Sequence, residues 1–249
     1  MTTTAGAPAL ELREVDKSFG VKVVNEVSFS VDRGQAVGIV GPNGAGKTTL
    51  FNLIAGDLSP DTGTIHIDGT DVTRHSPRRR CRGGVGRTSQ IPRPFEGMTV
   101  FENVLVAGTY GSSDQRSEAA AVDVVHDSLR RAAMLDLANQ PAGSLTLLQR
   151  KRLELARALA TEPSLLLLDE IAGGLTDAEV RDLVETIAAV SADGVTIVWI
   201  EHIVHALMAV VDTIVAISAG TKIAEGNPDA VMNSTEVQEV YLGVVEVAS

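Results

Sequence analysis

The sequence is poor in cysteine, in aromatic residues and in basic residues relative to acidic ones. Cys81 is the one cysteine among 249 residues, which excludes an internal disulfide and fits a reducing cytosol. Aromatic residues make up 3% of the chain, so aliphatic side chains must fill the core. The net charge of −11 argues against a nucleic-acid-binding protein, because such proteins normally carry a basic excess.

The sequence also lacks the patterns of export and of membrane insertion. Residues 1–8 contain no basic segment followed by an apolar one, so no signal peptide is expected. The most apolar region, residues 195–220, still contains two acidic residues and two histidines. This pattern favours a strand, a helix and a second strand over a membrane span, and the chain is expected to be soluble.

A glycine-rich stretch at residues 41–49 is the strongest motif in the chain. It follows an apolar run, residues 36–40, that predicts a buried strand, and it precedes a run, residues 50–55, that predicts a helix. A strand, a glycine-rich loop and a helix in this order are typical of the P-loop that holds nucleoside triphosphates. The stretch consists of Gly41, Pro42, Asn43, Gly44, Ala45, Gly46, Lys47, Thr48 and Thr49.

The residue types in this stretch suit phosphate binding. Glycines let backbone N–H groups converge on phosphate oxygens without Cβ clashes, and the following helix adds its positive N-terminal end. Lys47 is placed to reach the β- and γ-phosphates, and the Thr48 hydroxyl is placed to ligate Mg²⁺. The alternative is a chance glycine-rich turn, but every fixed position is filled and both flanks fit. The stretch therefore predicts a nucleoside-triphosphate site.

Two carboxylates end a second apolar run. The four leucines at residues 165–168 suit a central parallel strand, and ligands gather at the carboxyl ends of such strands. Packing does not require two acids at this position. Asp169 is expected to hold Mg²⁺, directly or through water, and Glu170 to polarise the attacking water. His202 follows another predicted strand, residues 195–200, and both a structural and a catalytic role stay open for it.

Short alternating segments predict strands in the first third of the chain, at residues 10–15, 24–31 and 64–69. Phe19 lies between the first two, where it either stacks on a base or packs in a β-layer. His66 is expected to face solvent from the third. An arginine cluster follows, and it is either a solvated helix face or a surface for docking or for anionic lipid. The cluster consists of Arg74, Arg78, Arg79, Arg80, Arg82 and Arg87.

Residues 94–161 have a different character and predict a helical insertion within the α/β domain. Helical composition occurs in three segments, at residues 101–107, 117–137 and 149–160. A mobile loop rich in glycine and serine is expected at residues 108–114. Beyond the insertion, Thr176 and Glu179 form a capping-box pattern that predicts a helix beginning at about Asp177.

Taken together, these motifs resemble the nucleotide-binding subunit of ABC transporters. The resemblance covers nearly the whole chain, with every element in the family's order, and it looks closest to the branched-chain amino-acid importer branch. The family motifs are residues 41–49, Gln90, residues 145–149, residues 165–170 and His202; the narrower likeness lies in residues 98–107, 151–160 and 223–226.

The resemblance implies a role for each site residue. Residues 41–49 would be the Walker A loop and Asp169 the Walker B carboxylate. Glu170 would be the catalytic base, and His202 the switch histidine that senses the γ-phosphate. Further implied roles are that Gln90 links Mg²⁺ and water to the helical region, that Phe19 stacks on adenine, and that residues 173–176 cross to a second ATPase subunit.

The implied fold is α/β: a P-loop ATPase core with an N-terminal antiparallel β portion and an inserted helical subdomain. Residues 1–249 would form a single domain, with residues 8–93 and 162–249 in the core and residues 94–161 in the helical subdomain. The implied cofactors are ATP and Mg²⁺. The implied partners are a second ABC ATPase subunit, transmembrane permease subunits and, indirectly, an external solute-binding protein. No nucleic acid is expected, and the chain would be peripheral at the cytoplasmic face of the membrane.

The main departure from the family pattern lies at residues 145–149, where Leu-Thr-Leu-Leu-Gln replaces Leu-Ser-Gly-Gly-Gln. Thr146 and Gln149 keep groups expected to contact the partner's phosphate. Leu148 replaces a glycine where backbone must approach phosphate closely, so its side chain is expected to obstruct the site on the partner's P-loop. With a paralogue of intact signature, the dimer would have one competent and one weakened site.

This departure leaves other functions open. A regulatory subunit that binds ATP with little hydrolysis is one alternative, although Glu170 and His202 argue against it. An importer ATPase for a different solute is another. A non-transport ABC ATPase acting on DNA or ribosomes fits poorly with the acidic charge.

Overall fold

The computed structural model describes residues 6–111 and 117–242. Ten strands in the described ranges run in chain order as β1 (Leu10–Phe19), β2 (Val21–Val31), β3 (Ala36–Val40), β4 (Thr62–Ile67), β5 (Thr70–Asp71), β6 (Val85–Arg87), β7 (Leu165–Asp169), β8 (Thr196–Ile200), β9 (Thr213–Ser218) and β10 (Thr221–Gly226). The helices there are α1 (Lys47–Ala55), α2 (Pro77–Arg82), α3 (Val100–Tyr110), α4 (Glu118–Arg131), α5 (Leu147–Leu159), α6 (Asp177–Ala192), α7 (Val204–Met208), α8 (Pro228–Met232) and α9 (Thr235–Leu242).

The strands form two sheets. The larger sheet has the order β10-β9-β3-β8-β7-β6, and its strands pair in parallel except for β10, which is antiparallel to β9. The smaller sheet has the order β2-β1-β4-β5 and is antiparallel throughout. Strands β3, β7 and β8 are buried along their whole length, which explains their continuous apolar sequences.

Alternate residues of the central strands pack into different clusters on the two faces of the larger sheet. Leu165 and Leu167 pack with α1 and the smaller sheet, whereas Leu166 and Leu168 pack with the helical insertion and α6. The expected architecture is therefore confirmed: an α/β core with an antiparallel β portion and a helical insertion. The carboxyl ends of β3, β7 and β8 meet at one edge of this sheet, where the candidate site lies.

The helical insertion follows the sequence prediction with two corrections. The helix predicted at residues 117–137 ends at Arg131, and a separate 3₁₀ turn, Leu135–Leu137, follows it. The mobile loop expected at residues 108–114 is wrong at its start, because Gly108 and Thr109 are buried in α3 and packing outweighs their low helix propensity. Residues 112–114 of that loop lie outside the described residues. The helix predicted from Asp177 is confirmed, with its capping box formed by Thr176 and Glu179.

The basic cluster does not form one solvated face. Arg78 and Arg79 are exposed, but Arg80 is 1% exposed, and its Nη1 donates to the carbonyl oxygens of Leu53 and Ile54 at 2.6 and 2.7 Å. Burial lowers the pKa of Arg80 to about 10. This guanidinium therefore satisfies the last carbonyls of α1, and the solvated-face interpretation is wrong for it.

One further expectation about side-chain exposure needs correction. His66, expected to face solvent, is half-buried, and its Nδ1 is buried without a hydrogen bond from the described residues.

Among the helices of the described ranges, none has the length and apolar character needed to cross a membrane.

Candidate nucleotide site

The glycine-rich loop connects the end of β3 to the start of α1, as the sequence predicts. Gly41 has φ 155° and Gly46 has φ 99°. A Cβ on Gly41 would collide with the carbonyl oxygen of Ile217, and a Cβ on Gly46 would collide with that of Val23. These two positions require glycine because neighbouring main chain approaches them closely. The loop is thereby held against β9 and β2 while its outer part stays open.

The loop and two strand-end residues enclose a cavity of about 200 Å³. Its lining includes residues 43–49, Glu170 and His202, so the structure brings the predicted P-loop, base and histidine together. Lys47 is 5% exposed, and its Nζ donates to the carbonyl oxygens of Gly41 and Pro42 at 2.7 and 2.9 Å. Burial lowers the pKa of Lys47, and the charge of Glu170 opposes that change. The ammonium group therefore lies inside the loop.

Asp169 ends β7 beside the neighbouring strand β6. The residue is 6% exposed, and its Oδ2 lies 3.3 Å from Nη2 of Arg87. Its backbone N–H donates to the hydroxyl of Thr88 at 3.3 Å. Burial raises the pKa of Asp169, and the charge of Arg87 opposes the rise. Together with the exposed hydroxyl of Thr48, this carboxylate supplies the hard oxygen donors that Mg²⁺ prefers, so the residues fit that ion.

Glu170 has its carboxylate held between two other predicted site residues. Its Oε1 lies 2.7 Å from Nε2 of His202, and its Oε2 accepts a hydrogen bond from Nε2 of Gln90. Its φ of 43° lies in the left-handed region that residues other than glycine rarely adopt. Such a conformation is typical of functional sites, and here it occurs where the chain leaves the strand. Gln90, expected at the metal, thus contacts the candidate base in this structure.

Two buried charged residues beside Glu170 were not among the predicted site residues. Glu201 is 3% exposed and accepts hydrogen bonds from the backbone N–H groups of Ala172 and His202 at 2.7 and 2.9 Å. Burial raises its pKa, which these hydrogen bonds oppose. It therefore ties together the two loops that carry Glu170 and His202. Its position at the end of an apolar strand, like that of Asp169, was a signal available in the sequence.

The second missed residue is Lys151 of α5, which is 2% exposed. Its Nζ lies 3.4 Å from the carbonyl oxygen of Gln90 and 3.5 Å from that of Glu170. Burial lowers its pKa, and the charges of Glu201 and Glu170 oppose that change. Lys151 falls at helical spacing between the buried Leu148 and Leu155, and this break in an apolar stripe was its signal in the sequence.

Besides Gly41, Pro42, Gln90 and Asp169, three more predicted residues are absent from the cavity lining. Phe19 ends β1 with 57% of its surface exposed, which excludes packing in the β-layer. Thr146 and Gln149 form a capping box at the start of α5: the Thr146 hydroxyl accepts from the Gln149 N–H, and the Gln149 side chain accepts from the Thr146 N–H. The structure therefore assigns these two residues a local role in beginning the helix.

Leu148, the residue expected to obstruct a partner's site, is buried in this structure, and the obstruction itself stays a prediction. Leu148 is 9% exposed and belongs to the core cluster that includes Leu145 and Leu153. Leu147 is the neighbour that stands out, with 42% of its surface exposed. Its Cδ2 would lie 3.3 Å from a Cβ placed on Gly174, so it sits beside the loop at residues 173–176. The helical turn that begins at Leu147 points one leucine outward and the other into the core. The order of residues 145–149 in the sequence does not reveal this difference.

Comparisons with known proteins agree with this geometry. A model of the ABC transporter family matches residues 24–173, and one described as a branched-chain amino acid ATP-binding cassette transporter matches residues 221–247. The high-affinity branched-chain amino acid transport ATP-binding protein BraF of Pseudomonas aeruginosa is 37% identical over 250 residues, which cover 95% of this chain and 98% of BraF. LivG of Escherichia coli, described in the same terms, is 36% identical over 237 residues, covering 90% of this chain and 93% of LivG.

Two solved structures give the same result. The ADP conformation of an ATP-binding cassette from an ABC transporter superposes with a TM-score of 0.86 at 30% identity, covering 95% of this chain and 99% of that one. A nucleotide-free ATP-binding cassette superposes with a TM-score of 0.85 at 30% identity, covering 94% and 99%. The chain therefore belongs to the family of ATP-binding subunits of ABC transporters, in its branched-chain amino-acid branch.

Proposed function

We propose that this chain binds ATP with Mg²⁺ at residues 41–49 and hydrolyses it with Glu170 as the base, as the ATPase subunit of an importer for branched-chain amino acids or related small solutes. The observation that supports the chemistry is the carboxylate of Glu170, held at the P-loop cavity between Gln90 and His202. The names of BraF and LivG support the solute class.

The chain's own groups divide the work of hydrolysis. The loop N–H groups and Lys47 bind and orient the triphosphate, because phosphoryl transfer leaves the protein mainly positioning and electrostatic tasks. Mg²⁺ held by Thr48 and Asp169 would neutralise charge on the phosphate oxygens. Glu170 accepts the proton of the attacking water through a lone pair that His202 and Gln90 leave free.

A second ATPase subunit completes the site in this proposal. Thr146 and Gln149 lie outside their own cavity, at the exposed start of α5, which suits contact with phosphate in another subunit. The departure at residues 145–149 favours a paralogous partner, because a homodimer would carry the change at both sites. ATP bound between the subunits would close them, and hydrolysis would let them reopen. A regulatory subunit with little hydrolysis is not favoured, because the branch consists of transport ATP-binding proteins.

Leu147 and Leu148 form a matched pair for testing the signature. Leu147→Ala should raise the ATPase rate of the assembled complex and change unfolding free energy by no more than about 0.5 kcal/mol, because the side chain is exposed. Leu148→Ala should instead cost about 2–5 kcal/mol of stability, because it opens a cavity in the core. Denaturant unfolding and steady-state ATPase assays measure both. A higher ATPase rate from Leu148→Ala at unchanged stability would mean that Leu148, and not Leu147, obstructs the site.

A groove of about 520 Å³ between α2, β6 and α5 suits a transmembrane partner. We name it the α2–α5 groove; its lining includes Asp57, Cys81, Arg87, Ser89, Glu154 and Arg157. It adjoins Gln90 and the helical insertion, so a permease segment docked there would lie next to a residue that contacts the candidate base. The exposed apolar side chains of Ile91 and Phe95 lie in the same part of the chain and extend a surface for docking.

Cys81 offers a direct test of docking, because it is the one cysteine of the sequence and lines this groove. Maleimide labelling of Cys81 should slow when permease subunits are added. The assay needs mildly alkaline pH, since burial raises the pKa of the thiol. A Cys81→Ser variant with Ala192→Cys, at the exposed end of α6, is the control and should label equally in both conditions. Unchanged labelling of Cys81 in a complex that forms would place the interface elsewhere.

Reconstitution tests the transport function itself. Vesicles that contain the membrane subunits, with the partner ATPase and the external solute-binding protein supplied, should accumulate labelled leucine only when this chain, ATP and Mg²⁺ are present on the cytoplasmic side. ATP hydrolysis without uptake of any branched-chain amino acid would support the proposed ATPase activity and contradict the proposed solute class. Absence of both hydrolysis and uptake in the assembled complex would reject the proposed function.

A further inference from the structure

Arg87 joins the P-loop helix to the carboxylate at the end of β7. It is the last residue of β6, and its Nη2 lies 2.9 Å from Oδ1 of Asn52 on α1 and 3.3 Å from Oδ2 of Asp169. Its Nη1 pairs with the carboxylate of Asp57, just beyond α1. Its Cζ lies 5.0 Å from the centre of the Phe51 ring. The planar guanidinium is therefore fixed on three sides, in a geometry that an ammonium group cannot reproduce.

Because of the contact with Arg87, the two carboxylate oxygens of Asp169 differ in their hydrogen bonding. Oδ2 faces Arg87, whereas no hydrogen bond from the described residues reaches Oδ1. The backbone of Asp169 is itself fixed, since its N–H donates to Thr88. A carboxylate held by one oxygen cannot rotate freely, so the other oxygen keeps a constant direction. Groups that hold a metal-binding carboxylate in this way typically tune the affinity for the ion.

Arg87 is also reachable from outside the nucleotide cavity. It lines the α2–α5 groove together with Asp57, and its side chain is 29% exposed. Asp57 therefore holds the guanidinium from the groove side while Asn52 holds it from the helix side. The sequence places Arg87 in one basic cluster with the arginines of residues 74–82, but its partners in the structure are different in kind.

We infer that Arg87 is a positioning residue that orients Asp169 for Mg²⁺, with Asp57 in turn orienting Arg87. This inference rests on the proposed role of Asp169 at the metal. Arg87 contacts neither nucleotide nor water in this account and acts only through the carboxylate. Its loss should therefore affect the part of nucleotide binding that depends on Mg²⁺ and leave the part that depends on the P-loop.

The test is calorimetric titration of a non-hydrolysable ATP analogue, with Mg²⁺ and with EDTA, which gives the gain in affinity due to the ion. Arg87→Met should reduce this gain by about tenfold or more while the affinity in EDTA stays unchanged. Arg87→Lys should lose most of the same gain. Lysine keeps the positive charge, but it lacks the planar guanidinium whose paired N–H groups hold Asp169 and Asp57. Asp57→Asn should give a smaller loss. Arg79→Met, on the exposed face of α2, is the control and should change neither affinity.

If Arg87 only stabilised the fold, its loss would lower thermal stability and leave unchanged the ratio of the affinity with Mg²⁺ to the affinity with EDTA. A change in this ratio therefore distinguishes the two roles. If Arg87→Met does not fold, the Arg87→Lys result decides in its place, and a full Mg²⁺ gain overturns the inference. Asp169→Asn separates this outcome from failure of the proposed function. If Asp169→Asn loses the gain while the Arg87 variants keep it, only the inference about Arg87 falls. If Asp169→Asn also keeps it, the metal role of Asp169 is wrong.

Discussion

Glu170→Gln is expected to leave ATP binding intact and to lower ATP hydrolysis by roughly 10²–10⁴-fold, the range attributed to a positioned general base. The amide is nearly the same size as the carboxylate, and it keeps an oxygen and a nitrogen for His202 and Gln90. It cannot accept the proton of the attacking water, however. In the proposed function, binding depends instead on the P-loop, which follows β3 and not β7.

Single-turnover ATPase assays and binding measurements on the same protein check this prediction. Glu185→Gln is a matched control, because it makes the same chemical change on the exposed face of α6. The control should hydrolyse ATP at the wild-type rate. Full activity of Glu170→Gln in the assembled complex would remove Glu170 from the role of base.

Lys47→Met is expected to weaken ATP binding by about 1.5–3 kcal/mol, roughly ten- to a hundredfold in Kd, the contribution of hydrogen bonds to a charged group. The ammonium lies inside the loop on the carbonyl oxygens of Gly41 and Pro42, so its charge is close to any phosphate that the loop holds. Methionine retains much of the volume of the buried stem and removes only the charge and the donors.

Binding of a fluorescent ATP analogue measures this effect. Lys222→Met, on the strand β10 and paired with Glu225, is the control for loss of a lysine charge elsewhere. It should bind as the wild type does. An unchanged affinity of Lys47→Met would mean that Lys47 serves only to hold the loop, and the phosphate contact would have to come from the main chain alone.

The parts of the site that lie next to one another in sequence were predictable. A glycine loop between an apolar strand and a helix, and two acids at the end of a leucine run, each carry their chemistry in a few adjacent residues. Parallel strands then bring their carboxyl ends to one edge of the sheet, which explains why Glu170 and His202 meet although 32 residues separate them.

The direction of side chains and the partners of buried charges were not predictable in the same way. Leu147 and Leu148 differ in exposure because the first turn of α5 faces the core on one side only. Arg80 and Arg87 belong to one basic stretch in the sequence, yet one caps α1 and the other contacts Asp169. Such partners depend on tertiary packing over long sequence separations, and a single sequence contains no local signal of them.

Calorimetric titration of the Glu170→Gln protein with ATP and Mg²⁺ tests the central claim most directly, because no heat of hydrolysis interferes. The account predicts saturable binding of one ATP per chain, strongly weakened when Lys47→Met is added. No heat of nucleotide binding, even with the partner subunits present, would contradict it.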